Sequence, residues 1–415
     1  MMTSEKKSEL LKSCSEILES LVTDPKSKND MAVFYKLYSQ FLEEPATIDW
    51  NSWTLPEESD FIESDDLPMV EESEAKNLLN RLAVVRLNGG LGTTMGCSGP
   101  KSLITVKNGF TFLDIALRQV SSLNEKYYCN IPILLMESFN TLEKTKNYLL
   151  KNKIENLEII QFEQSKCPRI FEDNLLPVPY AGPDKSEFHY PPGHGNIFET
   201  LLTSDLADEL LRKKKDILFV SNIDNTGATV DPRFIKALID GNREYMMEVT
   251  EKTPADIKGG TLIKIGGRFM HLEMPQTLST GEKIIQLETS IGGAIRNFPK
   301  ACGLKVSRSR FLPVKRTQDL LLVSSDIFEL NNEGNVYLVK TRKTVPLISL
   351  SKEFDDFLEF QKRFKNVPSL KEVESLTVTG DVWFGQNVVL KGKVKLEAKE
   401  GDTVILKDGE TVTQN

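Results

Sequence analysis

The sequence predicts an α/β fold built on a largely parallel sheet, with helices before it and a parallel β-helix after it. Three observations carry this. Four short apolar runs, Ala83 to Leu87, Ile131 to Met136, Leu157 to Phe162 and Ile217 to Val220, read as buried strands. The segments 111–124, 140–151 and 198–212 lie between them with helical spacing, and strand alternating with helix means parallel crossovers. Near the end the period changes: Val382, Val388 and Val394 fall six apart, as do Phe384, Leu390 and Leu396, with glycines at 380, 385 and 392. A six-residue apolar repeat with glycines at its corners is the signature of stacked β-helix coils.

Taken in order, the chain divides into 1–80, 81–350 and 351–415. In the first part Leu10, Leu11, Cys14, Ile17, Leu18 and Leu21 predict one amphipathic helix, and Met31, Phe34, Leu37, Tyr38 and Phe41 a second. The acidic stretch that follows, EESDFIESDD to EESEAK, reads as a solvated linker or loop. The middle part carries the strands named above, then strands at 244–250 and 259–265. The last part opens with a helix around Phe354 to Phe364. An open solenoid end tends to be capped or to join another subunit.

Composition narrows the function. The 415 residues are 40% hydrophobic and 27% charged, a globular balance. Sixty acidic against 52 basic residues give a net charge of -8, a poor match to nucleic acid or an anionic membrane. No apolar run approaches the roughly 18 residues of a spanning helix. The N-terminus has no apolar signal segment, and five scattered cysteines without CxxC suit a reducing compartment, so a cytoplasmic location is expected.

Ligands on parallel sheets bind beyond the carboxyl ends of the strands, so the informative loops follow Leu87, Met136, Phe162 and Val220. The first is Asn88-Gly89-Gly90-Leu91-Gly92-Thr93-Thr94-Met95-Gly96-Cys97-Ser98-Gly99-Pro100-Lys101. Its five glycines exceed what a turn needs. Glycine lets backbone approach a phosphate, exposed N–H groups cradle an anion, and a terminal lysine adds mobile charge. It is not a Walker A loop, because Pro100 precedes Lys101 and has no N–H. It is not a dinucleotide fingerprint either, since Gly90, Gly92 and Gly96 are one residue too far apart.

The loop L-N-G-G-L-G-T-x-M-G-C-x-G-P-K-S closely resembles the nucleotide loop of eukaryotic UDP-glucose pyrophosphorylases, the UTP–glucose-1-phosphate uridylyltransferases. The resemblance extends from about residue 80 to 396. It takes in Thr111 to Asp114, Met136-x-Ser138-Phe139-Asn140-Thr141, Gln164-Ser165-x-x-Pro168-Arg169 and Pro191-Pro192-Gly193-His194-Gly195. It continues through Asn222-Ile223-Asp224-Asn225, Lys258 to Leu262, Gln286 to Thr289 and Arg308 to Lys315. The resemblance implies a Rossmann-like nucleotidyltransferase with a mixed sheet and a left-handed β-helix. It further implies a reversible reaction of UTP with glucose 1-phosphate, giving UDP-glucose and pyrophosphate for glycogen and glycan synthesis. The sugar phosphate is already an anion, so catalysis reduces to positioning and charge neutralisation.

Site roles follow from the same resemblance. Leu87, Asn88, Gly89, Gly90, Lys101, Gln164 and Gly193 would bind the nucleotide, with Lys101 also on the departing phosphates. His194, Asn222, Ile223 and Asp224 would bind the sugar phosphate side. Asp224 would hold Mg²⁺, and Lys315 would neutralise charge in the transition state. On the residues alone, Asp224 equally suits an Asx turn or helix cap, and Lys101 and Lys315 suit solvated lysines.

Three departures matter. Asn196 stands where relatives often have Asp, keeping shape and losing charge. Thr94 replaces the arginine that relatives specific for other sugars carry, arguing against a pyrophosphorylase for N-acetylglucosamine 1-phosphate. Arg268 to Glu273 runs straight into Met274 to Leu278, without the strand, helix and sugar-binding F-N-T-N-N block that separates them in relatives. Two readings compete on that ground: an active enzyme, or a nucleotide-binding pseudoenzyme or weakly active form. A removed strand should leave unpaired backbone groups unless neighbours close the gap. The chain also stops soon after the hexad repeat begins, so association through the β-helix is expected to be weakened.

Overall fold

The computed structural model describes residues 3–43, 52–179, 188–253, 260–272 and 284–414. Lys258, Glu273 and the Met274 to Thr280 stretch lie outside them.

Helices Ser4–Leu21 and Pro25–Glu43 form the predicted amphipathic pair. Leu10, Cys14, Leu18 and Leu21 recur on one face, and Met31, Phe34, Tyr38 and Leu42 on the other. Together they close over Cys167, Ile170 and Tyr190 in one apolar cluster. The Tyr38 hydroxyl donates to the Leu175 carbonyl at 2.7 Å, so this buried phenol is satisfied.

The acidic stretch is not the loop its composition suggests. Phe61–Glu63 is a strand paired in parallel with Ala301–Lys305, and Glu72–Asn80 is a helix. Its carboxylates have cations to meet: Asp60 binds Lys264 at 2.7 Å, while Glu58 and Glu63 bind Lys305 at 2.5 and 2.8 Å. The pairing comes from residues more than 200 positions away, which no local pattern reveals.

The central sheet is parallel throughout, in the order Ile217–Asn222, Leu82–Leu87, Ile133–Glu137, Ile159–Glu163. Helices Phe112–Tyr127 and Leu142–Lys151 match the predicted crossovers. Segment 198–212 is two helices, Ile197–Thr203 and Leu206–Arg212, broken where Asp205 takes a left-handed φ of 58°. A second parallel sheet joins Tyr245–Val249, Ala301–Lys305 and Phe61–Glu63. Thr261–Ile265 and Arg268–Leu272 form a hairpin with Trp53–Thr54 beside it, so antiparallel pairing is confined to smaller sheets. The architecture is mixed α/β.

Each parallel sheet ends on a strand with no partner on its outer side among the described residues: Ile217–Asn222 in one, Tyr245–Val249 in the other. Side chains span the break. The Arg310 guanidinium donates to both Glu248 oxygens at 2.8 Å and to the Thr229 carbonyl at 2.6 Å, over the Phe234 ring.

In the last region Phe357–Arg363 is helical, capped by Asp356 onto Leu358 and Glu359 N–H. Strands Leu347–Leu350, Ser369–Thr379, Val389–Glu397 and Thr411–Gln414 then pair in parallel, and Asp381–Phe384 pairs in parallel with Thr403–Leu406. Leu376 faces Val394, three six-residue steps along. All six residues of the two apolar series are buried; Gly380 takes positive φ between two strands, and Gly392 does so within Val389–Glu397, next to a shift in register. One apolar cluster runs from Leu79 through the central sheet to Leu406, crossing position 350 without a break.

Arg86 ties the sheet together one residue behind the site. It is fully buried; its guanidinium bonds the Ser221 hydroxyl, Gln119 Oε1 at 2.8 Å and the Ala228 carbonyl at 3.0 Å, and faces the Phe219 ring. Burial and nearby Arg310 pull its pKa down to about 10, so it stays protonated at neutral pH. Each buried acceptor stripped of its donor costs about 1–3 kcal/mol. Arg86→Ala is therefore expected to lower the thermal midpoint by several degrees in calorimetry, and an unchanged midpoint would show that the guanidinium ties nothing.

Candidate active site

The site begins with register. Asn222 lies opposite Leu87 in the parallel pair, and the Ile223 N–H donates to the Leu87 carbonyl at 3.3 Å. The two strands therefore end together, and the glycine loop leaves beside the Asn222–Asn225 turn. Both loops emerge at the carboxyl edge of the sheet, where a parallel sheet offers its ligand crevice.

The glycine loop is closed at its base. Leu91 bridges Pro100, and the Lys101 N–H donates to the Gly90 carbonyl at 3.2 Å. Met95 is fully buried and anchors the middle. Gly90 is exposed, and a side chain there would meet nothing within 4 Å, so its backbone borders open space. Gly89 is the opposite case: a Cβ would lie 2.0 Å from Gln164 Nε2. A side chain there would have to displace the Gln164 amide, which lies directly across. Gln164 itself is 5% exposed, and its Oε1 has no hydrogen bond among the described residues.

Lys101 reaches the other loop. Its Nζ donates to Asp224 Oδ2 at 2.5 Å, and both side chains are about 15% exposed. Asn225 brings in a third segment, its Oδ1 accepting from Leu312 N–H at 2.8 Å and its Nδ2 donating to the Arg310 carbonyl at 3.2 Å. That segment leads to Lys315, whose carbonyl accepts from Thr94 Oγ1 at 2.9 Å. Lys315 is exposed and sits on the rim of the glycine loop.

The fourth side is the Pro191-to-Gly195 turn clamped to Thr289. Thr289 N–H donates to the Pro192 carbonyl and Gly195 N–H to the Thr289 carbonyl, both at 2.8 Å. Gly193 has φ +83°, and a Cβ there would sit 2.5 Å from the Thr289 carbonyl. His194 Nδ1 accepts from Ile291 N–H at 2.9 Å, which fixes the Nε2–H tautomer. Asn196 is buried, its Oδ1 accepting from Ser165 N–H at 2.8 Å and Thr200 Oγ1 at 2.9 Å. The turn is thereby tied to the residue after Gln164.

Most of the expected residues thus meet around one crevice edge: Gly89 with Gln164, Lys101 with Asp224, Asn222 and Ile223 beside Leu87. Asn88 turns its side chain away from the loop. Its side chain is 1% exposed and donates to both Glu137 oxygens at 2.8 and 2.9 Å, leaving only its backbone on the ligand side. Glu137, Asn225 and Arg310 organise the site and were not anticipated. The signal for Glu137 was a carboxylate placed directly after the apolar run Ile131 to Met136, at the ligand edge of the sheet.

A family model described as UTP–glucose-1-phosphate uridylyltransferase matches residues 31–280 and 275–391. The two stretches meet where the Asn-rich block is expected. A relative from Musa acuminata named UTP–glucose-1-phosphate uridylyltransferase is 43% identical over 435 residues, covering 92% of this chain and 93% of its own. One named as probable for the same activity in Schizosaccharomyces pombe is 39% identical over 452 residues, covering 94% and 89%. Both alignments are longer than the 415-residue chain, so stretches of the relatives face no residue here. A solved UDP-glucose pyrophosphorylase variant from Leishmania major in complex with UDP-glucose superposes with TM-score 0.86 at 26% identity, over 100% of this chain and 99% of that one. A UDP-glucose phosphorylase from Trypanosoma brucei gives 0.83 at 30%, over 98% and 100%. The strand-end crevice, the motifs around it and these likenesses agree: the chain belongs to the UTP–glucose-1-phosphate uridylyltransferase family.

Proposed function

We infer that the chain joins UTP and glucose 1-phosphate into UDP-glucose and pyrophosphate, reversibly. One observation carries this reading beyond family membership: Lys101 and Asp224 meet at the strand ends, with exposed Gly90 backbone on one side and Gln164 on the other.

The nucleophile is the sugar phosphate oxygen, already anionic, and it attacks the α-phosphorus of UTP. Displacing pyrophosphate needs alignment and neutralised charge rather than a general base. Gln164 presents both an amide N–H and an unpaired carbonyl, complementary to the acceptor and donor edge of uracil. Gly89, Gly90 and Gly193 let backbone approach the nucleoside and phosphates. Lys101 turns from Asp224 to the departing phosphates. His194, a donor through Nε2–H, binds the sugar phosphate, and Asn222 and Ile223 border the sugar. Lys315 folds its ammonium over the reacting phosphates from the rim.

The donor set suits Mg²⁺ in its usual substrate-bridged form, with one carboxylate from the protein and the rest from phosphate and water. Asp224 would be that carboxylate, and no group of three or more His, Cys, Asp or Glu able to hold a metal occurs among the described residues. When bound there, Mg²⁺ supplies charge neutralisation on the phosphates.

Turnover is favoured over a nucleotide-binding pseudoenzyme because Lys101 and Asp224 meet at the strand ends and the backbone of Lys315 is bonded to the glycine loop beside them. Thr94, spent on the Lys315 carbonyl, accords with glucose rather than a bulkier sugar. The parallel C-terminal strands and their three-hexad register support reading that region as a left-handed β-helix through which copies of the chain associate. No helix among the described residues is long and apolar enough to cross a membrane, and all five cysteines are free, which suits the cytoplasm.

Asp224→Asn is expected to leave the fold intact and cut Mg²⁺-dependent pyrophosphate release by several orders of magnitude; retained activity would remove Asp224 from the mechanism. Lys315→Ala should lower kcat more than UTP affinity, since its charge matters most in the transition state. Lys101→Ala should weaken UTP binding as well, measured by calorimetry. Equal and small effects from both would mark them as surface lysines.

A further inference from the structure

Glu137 is 0% exposed and forms no ion pair among the described residues. It receives only hydrogen bonds: Asn88 Nδ2 on both oxygens, Gln161 Nε2 at 3.2 Å and Thr145 Oγ1 at 3.4 Å. Its main chain and its neighbour reach the same place. The Glu137 carbonyl accepts from Gln164 N–H at 2.9 Å, and Ser138 Oγ donates to the Gly89 carbonyl at 2.8 Å. One residue thus holds the start of the glycine loop by its side chain and Gln164 by its backbone. We propose that Glu137 is a positioning residue for the nucleotide: its carboxylate, gripped by Asn88 from beneath, sets the Gly89–Gly90 backbone opposite Gln164. The proposal rests on reading that loop as the UTP cradle.

A buried carboxylate without a cation is costly, and a neutral amide of the same shape would fill the space more cheaply. Burial pushes Glu137 up to about 7, with Thr141, Asn88, Gln161 and Thr145 holding it down. The charged groups on the surrounding elements are engaged elsewhere. Glu163, in register on the next strand, binds Lys26. Lys144 donates to the Ser98 carbonyl, Tyr148 bonds Asp114, and Arg86 is turned to Ser221 and Gln119. As drawn, every partner donates, which suits the ionised form. Asn88 Oδ1 is buried without a partner. Protonation gives Glu137 an O–H, which removes one of the two acceptors that hold Asn88 Nδ2 and offers a donor to the unpaired Asn88 Oδ1, so the protonated form favours a turned Asn88 amide and a loosened loop base.

The sign follows. The folded pKa lies above the ordinary 4.5, so the folded chain holds the proton more tightly, and stability falls as pH rises between 4.5 and about 7. Removing the carboxylate therefore should not lower stability at pH 8, whereas its loss should disturb the loop.

The test is Glu137→Gln in the full chain, with hydrogen exchange of peptides spanning 87–92 without ligand and UTP calorimetry at pH 6 and pH 8. We expect a thermal midpoint at pH 8 equal to or above that of the unaltered chain and faster loop exchange. UTP affinity at pH 8 should fall about tenfold, the scale of one charge-assisted hydrogen bond, with its pH dependence flattened. In the unaltered chain, loop exchange corrected for intrinsic rate should be faster at pH 6 than at pH 8. That measurement stands even if the variant does not fold. Unchanged loop exchange and UTP affinity in the variant, or a pH-independent loop in the unaltered chain, overturns the proposal. Loop exchange that responds as expected in a chain that binds no UTP supports the coupling and overturns the functional reading instead.

Discussion

The parallel pairing of Leu82–Leu87 with Ile217–Asn222 is the constraint on which the site depends. It makes two strands that are far apart in sequence end at the same level, so a glycine loop and an acidic turn leave the sheet side by side. Lys101 and Asp224 meet across 123 positions only because of that register. A slip of one residue would send alternate side chains to the opposite face and part them. Buried Arg86, bonded from the first strand to Ser221 on the second, opposes such a slip. Loops are poor at holding geometry, and here they are held by what lies beneath them: Asn88 on Glu137, Asn225 on Arg310 and Leu312, Asn196 on Ser165.

The same logic explains what the sequence made legible. Buried parallel strands are continuous apolar runs, and all four of the central sheet were visible that way. The hexad series needed only its own period. The glycine loop ending in Lys101 stood out by composition after the first strand, whereas the roles of Asp224, Gln164 and Gly193 came only from the family resemblance. Hidden features depended on distant partners. Phe61–Glu63 looked solvated because its cations, Lys264 and Lys305, lie far along the chain. The break at Asp205 is a left-handed residue that helical spacing does not register. Asn88 and Glu137 meet only because parallel pairing brings their two strand ends side by side.

The nucleotide half and the sugar half are supported unequally. Gly89, Gln164, Lys101 and Asp224 rest on the intact four-stranded sheet and its buried ties. The family match divides in the sequence at 275–280, and Asn222 and Ile223, expected on the sugar side, stand at and just after the end of the edge strand of that sheet. Arg310, binding Glu248 and Thr229, carries much of the connection there. Polar side chains close the break without replacing hydroxyl contacts from a missing strand. Two such contacts, at about 0.5–1.5 kcal/mol each, together with a looser wall, are worth about two to four decades in sugar affinity or orientation.

One paired experiment decides whether the crevice works as this geometry requires. UTP binding by calorimetry and glucose-1-phosphate-dependent pyrophosphate release should be measured on the 415-residue chain beside the Musa acuminata relative. The account predicts comparable UTP affinity in the two proteins, with measurable turnover here at a glucose 1-phosphate requirement about a hundredfold or more higher. Absence of UTP binding by this chain would contradict it, and so would pyrophosphate release equal to the relative's at low glucose 1-phosphate.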